Sequence, residues 1–151
     1  MKETLYAWGP YVGALAVGFI AGLLPIISIE VFMIVMARTE INTLAEFTLM
    51  VVLAAAGHQV SKTVTYYAGL GALDRGKMKA KLDAVRPKIE KWNKRPGLVL
   101  FLAATVGIPP LYIIGFIAEP LMKIPFWRFT IACFVGRVGR YFVMTLIPWL
   151  L

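Results

Sequence analysis

The sequence predicts an all-α integral membrane protein: two re-entrant helical hairpins and two full transmembrane helices in an inverted hairpin–span repeat, joined by a basic amphipathic cytoplasmic linker. Three observations carry this reading. Of 151 residues, 60% are apolar and 16% charged, against about 25% charged in an ordinary soluble domain, and the mean hydropathy is +0.76. The apolar residues fall into three blocks, 5–37, 44–73 and 98–151. Prolines interrupt the first and third blocks at depths where a membrane helix should run on. The length suits one domain, so 1–151 is read as a single membrane domain. This composition excludes a disordered tail, a secreted disulfide scaffold and most soluble enzymes. Cys133 is the single cysteine and has no internal bridge to form.

The first block, 5–37, has 33 residues. A straight span needs about 20, so the block is too long for one crossing and too short for two with a turn. Pro25 lies inside it and Glu30 follows. Two half-depth helices joined near Pro25 fit, entering and leaving on one side; the other reading is one long, tilted, kinked helix. Backbone freed at such a break must be covered by protein or water, never lipid. Ala14-Leu15-Ala16 imitates a signal cleavage site, but no leader of the usual form precedes it and hydrophobicity runs far past it, so an uncleaved segment is expected. Residues 44–72 then have the length and polarity of a full span.

The linker 74–97 holds nine Lys/Arg and three Asp/Glu, so +6 of the net charge of +8 lies there. A basic protein raises the question of nucleic acid. Here the charge is set between long apolar segments, and an anionic membrane surface is the expected partner. Met78, Leu82, Val85, Ile89 and Trp92 recur at spacings of 4, 3, 4 and 3, one face of a helix lying in the interface, with Pro87 expected to kink or split it. A solvated charged face that merely fixes topology is the plainer alternative.

In 98–122, Pro109-Pro110 removes two donors and clashes with the preceding turn. The segment is either a second hairpin or a kinked single span. Residues 126–150 form the last span. Short loops rich in Lys and Arg stay cytoplasmic, which puts 74–97 inside. The 38–46 connection, with Arg38, Glu40 and Glu46, then faces out, Lys123 and Arg128 face in, and the two halves come out inverted, as in many secondary transporters. If the broken blocks are instead full spans, the repeat becomes parallel.

Six ionisable side chains fall within the apolar depth: Glu30, His58, Lys62, Glu119, Arg137 and Arg140. Each charge at a bilayer centre costs about 2.5–3.5 kcal/mol on the insertion scale, so these groups must pair, face water or neutralise. Formally Glu30 and Glu119 give −2 and Lys62, Arg137 and Arg140 give +3, a surplus that an anionic ligand such as a lipid phosphate would balance. Arg137 and Arg140 share a face of the last span. Guanidinium groups bind phosphate in bidentate geometry, or the pair simply braces Glu30 and Glu119. Glu30, after the proline break, is the strongest candidate for holding a proton or sodium ion. His58, with an ordinary pKa near 6.5, is either a proton relay or a hydrogen-bonded interior residue. Lys62 shares its face and has the length to snorkel. Glu119 lies nearer the inner boundary.

Gly9/Gly13, Gly18/Gly22 and Ala132/Gly136 follow the small-xxx-small pattern of close helix packing. Gly136 and Gly139 flank Arg137, where a neighbouring helix is expected to approach. Trp8, Trp92, Trp127 and Trp149 fall near the expected interfaces. With one His and one Cys, the usual zinc sites are excluded. No Gly-rich phosphate loop or GxSxG occurs, so no enzyme activity, metal or cofactor is expected.

Leu24-Pro25-Ile26-Ile27-Ser28-Ile29-Glu30 resembles the proline-rich "P…SE" signature of the DedA family, also called the VTT or SNARE-associated domain. Gly57-His58-Gln59 with Tyr66-Tyr67-Ala68-Gly69 is similar to its Gly…Tyr-x-x-Gly segment. Gly107-Ile108-Pro109-Pro110, Met122, Pro125-Phe126-Trp127-Arg128-Phe129 and Gly136-Arg137 resemble its second half. The resemblance covers about residues 20–145. It implies an inner-membrane protein of bacterial type with two opposed re-entrant hairpins, associated with moving polyprenyl-phosphate carriers or phospholipids, sometimes with the proton gradient. It makes Glu30 the first-hairpin acid and Pro110 the second-hairpin proline. Many members carry Arg-Phe-x-Pro-x-x-Arg in the second hairpin. Here Gly107 and Ile113 stand at the arginine positions, and Ala118-Glu119 replaces the usual Ala-Gly. If those arginines hold phosphate in the family, Arg137 and Arg140 must substitute, or the substrate differs.

The expected function is therefore translocation of an anionic lipid or lipid-linked phosphate in the plasma (inner) membrane. Glu30, His58 and Glu119 are the candidate coupling groups, and Arg137, Arg140 and Lys62 the candidate headgroup holders. A small-solute or ion transporter and a non-transporting membrane organiser are the alternatives. The expected partners are membrane lipids and anionic headgroups, not nucleic acid. So small a bundle leaves much of its interior open to lipid, which points to a homodimer.

Overall fold

The computed structural model describes residues 2–24, 26–72, 76–108, 114, 115, 117, 118 and 122–151, without the side chains of 2–8, 72, 78, 81, 82 and 85. Pro25, Pro109, Pro110, Ile113 and Glu119, and the side chains of Trp8, Met78, Leu82 and Val85, lie outside that description. Among the described residues there are six helices and no strand: α1 (Lys2–Leu23), α2 (Ile29–Thr39), α3 (Leu44–Ala72), α4 (Gly76–Trp92), α5 (Pro96–Thr105) and α6 (Phe126–Leu150). Two of them, α3 over Leu44–Gly71 and α6 over Phe126–Leu150, are long and apolar enough to cross a membrane. These are the two segments the sequence marks as full spans.

The first broken block breaks where expected. α1 ends at Leu23 and α2 starts at Ile29, so the helix stops just before Pro25. The halves are unequal, however: 22 residues against 11. At 1.5 Å per residue α1 is about 33 Å long, the thickness of a hydrocarbon core. The expected break is thus present between helices of unequal length, and the helical run of α1 begins before the apolar block does, its described apolar part being Gly9–Leu23. Ser28 caps α2, its Oγ accepting from the Val31 N–H at 3.5 Å. The start of α3 is closed reciprocally. Thr43 Oγ1 accepts from the Glu46 N–H at 3.2 Å, and Glu46 Oε2 accepts from the Asn42 and Thr43 N–H groups at 3.0 and 3.2 Å. This arrangement satisfies donors that a helix start otherwise leaves open.

The chain divides into two compact units. The first is Met1–Ser61 with Arg137–Leu151, and the second is Lys62–Gly136. In the first unit α1 packs closely on α2 and α3. A Cβ on Gly13 would lie 2.9 Å from Phe32 Cζ, one on Gly18 would strike the Ala54 carbonyl, and one on Gly57 would strike the Leu15 carbonyl. Gly18 thus belongs to a working small-residue seam, whereas Gly9 has nothing within 4 Å. The end of α6 is tied to the α2–α3 turn. Arg38 Nε donates to Pro148 O and Trp149 Nε1 to Ile41 O, both at 3.2 Å. Phe47 stacks on Trp149 and meets Phe142 edge-on.

The second unit is built on an apolar cluster that includes Tyr66, Ile89, Leu100, Ala103, Ala104, Phe129 and Cys133. Tyr66 donates its hydroxyl to Ile124 O at 2.8 Å and sets its ring against Phe126 and Phe129. Gly136 lets α6 approach α5, since a Cβ there would lie 2.6 Å from Ala104 Cβ. Among the described residues Gly139 has nothing within 4 Å, so of the two glycines flanking Arg137 only Gly136 meets a neighbour there. α4 runs through Pro87 as one helix, so of the expected kink or split the split does not occur. Its Ile89 is buried and Trp92 packs on the cluster, so the end of the expected apolar face is seated on protein. α5 stops at Gly107, which takes φ 86° and sends its N–H back to Leu102 O at 3.2 Å. A positive φ is cheap there because glycine has no Cβ.

Candidate functional site

Four of the six ionisable groups that the sequence places in apolar segments lie in the first unit: Glu30, His58, Arg137 and Arg140. Glu30 sits in the first turn of α2, where the helix dipole favours an anion. Both of its oxygens are engaged. Oε1 accepts from Arg140 Nε at 3.1 Å and lies 3.0 Å from a terminal nitrogen of the same guanidinium. Oε2 accepts from Ser28 Oγ at 3.2 Å. The carboxylate and guanidinium side chains are 19% and 21% exposed, so the pair is neither dry nor surface-solvated.

Arg137 stands one turn before Arg140 on α6. Its side chain hydrogen-bonds the Tyr141 hydroxyl, its Nε is buried without an acceptor among the described residues, and no carboxylate among those residues is within ion-pair distance. A buried guanidinium N–H without an acceptor loses its hydration without replacement, which costs roughly 1–3 kcal/mol, more for a charged group. Taking His58 as neutral, the described cluster carries −1 from Glu30 and +2 from the arginines, net +1.

Tyr141 connects the members of this cluster. It is fully buried, and its hydroxyl is 3.0 Å from His58 Nδ1. Arg137, Glu30 and Arg140 all act electrostatically on that hydroxyl. His58 is buried on α3, with its carbonyl accepting from Ser61 Oγ at 2.6 Å. Sequence reasoning missed Tyr141 and Ser28. The signal for Tyr141 was there: it follows Arg137 by four residues and so shares its helix face. Ser28 was legible as the cap two residues before an acid.

Lys62, one turn beyond His58 in sequence, belongs to the second unit. It is buried, and its carbonyl accepts from Thr65 Oγ1 at 2.9 Å. Glu119, Pro25, Pro109 and Pro110 fall outside the described residues, so their expected roles rest on sequence alone.

The chemistry available is anion binding. One guanidinium, that of Arg137, hydrogen-bonds the Tyr141 hydroxyl while its Nε has no acceptor among the described residues, a second shares its charge with a carboxylate, and the same hydroxyl reaches an imidazole. No protein-family model, curated protein or solved structure matches this chain.

Proposed function

We propose that the chain moves an anionic lipid, a phospholipid or a lipid-linked phosphate, across the membrane it spans. The observation that carries this is Arg137, a cation in an apolar helix whose buried Nε has no acceptor among the described residues. A phosphate oxygen supplies that acceptor and balances the surplus charge of the cluster. Arg140 is held in reserve on Glu30 at 3.0 Å. Protonating Glu30 releases Arg140 to a second phosphate oxygen, and deprotonation takes it back. Glu30 is thus the coupling acid, with His58 and Tyr141 as the groups through which a proton reaches or leaves the cluster. Lys62 and Glu119 are secondary.

In this reading the breaks after Leu23 and after Thr105 belong to re-entrant segments of an inverted repeat in the inner membrane, with 74–97 on the cytoplasmic side. The resemblance to the DedA family supports the same reading. The test is lipid translocation in proteoliposomes, followed with a fluorescent anionic phospholipid and a zwitterionic control. Wild-type protein moves the anionic probe faster, and Glu30→Gln and Arg137→Ala each lower that rate at least tenfold. Unchanged rates in both variants overturn the proposal.

A second reading has one observation in its favour. The Glu30–Arg140 pair is the geometry of a brace between α2 and α6, as in a membrane organiser that transports nothing. That reading predicts no lipid movement by the wild type and a loss of stability in Glu30→Gln. A small-solute transporter would instead show solute uptake without lipid movement.

A further inference from the structure

We infer that α4 docks on an anionic lipid surface through one defined flank of lysines, a property independent of whether the chain moves lipids. The inner line of α4 is marked by Ile89, 2% exposed, and Trp92, both set on the apolar cluster of the second unit. Counting about 100° per residue from Ile89, Lys79, Asp83, Arg86 and Glu90 fall on one flank. Their charges sum to zero, and Arg86 pairs with Asp83 at 3.2 Å. Lys77, Lys88 and Lys91 fall on the other flank, which has no acid among its described side chains. Lys94 and Arg95 follow directly, and all five cations are exposed. The helix is therefore neutral along one flank and cationic along the other. Fixing topology needs only a count of cations in the loop and gives no reason for this division.

The chain itself selects the occupant. Four Cα steps separate Ala72 of α3 from Gly76, and four separate Trp92 from Pro96 of the apolar α5. Each connection reaches at most about 14 Å. Both ends of α4 are thus leashed to apolar helices, one of them a candidate span, and the lysine flank cannot leave the neighbourhood of the headgroups. Anionic leaflets attract basic juxtamembrane segments strongly enough that each cation changes binding about fivefold.

The full chain carrying Ala84→Cys, reconstituted in vesicles, tests this. Ala84 is exposed and lies among the lysines of that flank, while Cys133 is buried and hidden from water-soluble reagents. Maleimide labelling at position 84 is expected to slow severalfold in vesicles containing one-third phosphatidylglycerol relative to pure phosphatidylcholine. At about 1 M salt, where screening acts within about 3 Å, the difference should vanish. Adding Lys77→Gln with Lys88→Gln should abolish the slowing, a loss of roughly 25-fold in surface affinity. Adding Lys79→Gln with Arg86→Gln removes the same net charge and should leave most of it. Equal labelling in the two vesicle types overturns the inference. So does an equal loss in both double variants, which would mean that only total charge acts.

Discussion

Each of the two units buries a tyrosine, and the two differ in what the hydroxyl meets. Tyr66, 3% exposed, ends on the backbone carbonyl of Ile124 amid aromatic rings. Tyr141, fully buried, ends on the imidazole of His58 beside two arginines and a glutamate. A tyrosine on a carbonyl satisfies one acceptor and rigidifies a core. A tyrosine on a titratable side chain connects groups whose charge can change. The apolar cluster around Tyr66 serves packing, with the buried Lys62 elsewhere in that unit, while the first unit gives part of its interior to a charged cluster that packing alone does not call for. Substitutions in the cluster around Tyr66 should therefore act on stability, and those around Tyr141 on activity.

The largest stability effect is expected from Phe129→Ala. Its ring is fully buried in the second unit's cluster, and truncation there costs about 3–5 kcal/mol, measured by unfolding in detergent. Gly18→Leu comes next. The new side chain would drive α1 off the Ala54 carbonyl, and overpacking of this kind costs about 1–3 kcal/mol. Tyr66→Phe strips the Ile124 carbonyl of its donor and costs about 1–2 kcal/mol, with lipid movement per folded molecule unchanged. Tyr141→Phe costs a similar amount in stability but also lowers translocation severalfold. If both tyrosine variants leave translocation untouched, the contrast between the units dissolves. The smallest effect belongs to Arg86→Gln. Its pair with Asp83 joins side chains 57% and 49% exposed, and such helical pairs contribute about 0.5 kcal/mol or less.

Much of this architecture was legible in the sequence. The lengths of 44–72 and 126–150 gave both long helices, because an unbroken apolar run has little choice but to be helical. Pro25 placed the first break, since a helix usually ends before the residue preceding proline. Proline did not end the helix at position 87, where α4 runs on while its Ile89 and Trp92 are seated on the core. The lengths of α1 and α2 were not legible, because hydropathy marks where lipid is tolerated and not where hydrogen-bonded turns begin. In the site, the charge surplus and the pairing of an α6 arginine with Glu30 were readable from composition and spacing. Which arginine pairs was not, since Arg137 and Arg140 share a face and only the packing of α2 on α6 selects Arg140. Tyr141 escaped because its one signal was its place on the helix face of Arg137, four residues on, and an aromatic residue there is equally a packing residue.

The most direct measurement is a charge swap, Glu30→Arg with Arg140→Glu, assayed for anionic-lipid translocation alongside its unfolding midpoint. The swap keeps an ion pair but removes the acid from the helix start beside Ser28 and the cation from beside Arg137. The account predicts a protein about as stable as wild type that fails to move the lipid. Translocation at the wild-type rate would show that these charges only brace the helices, and would contradict it.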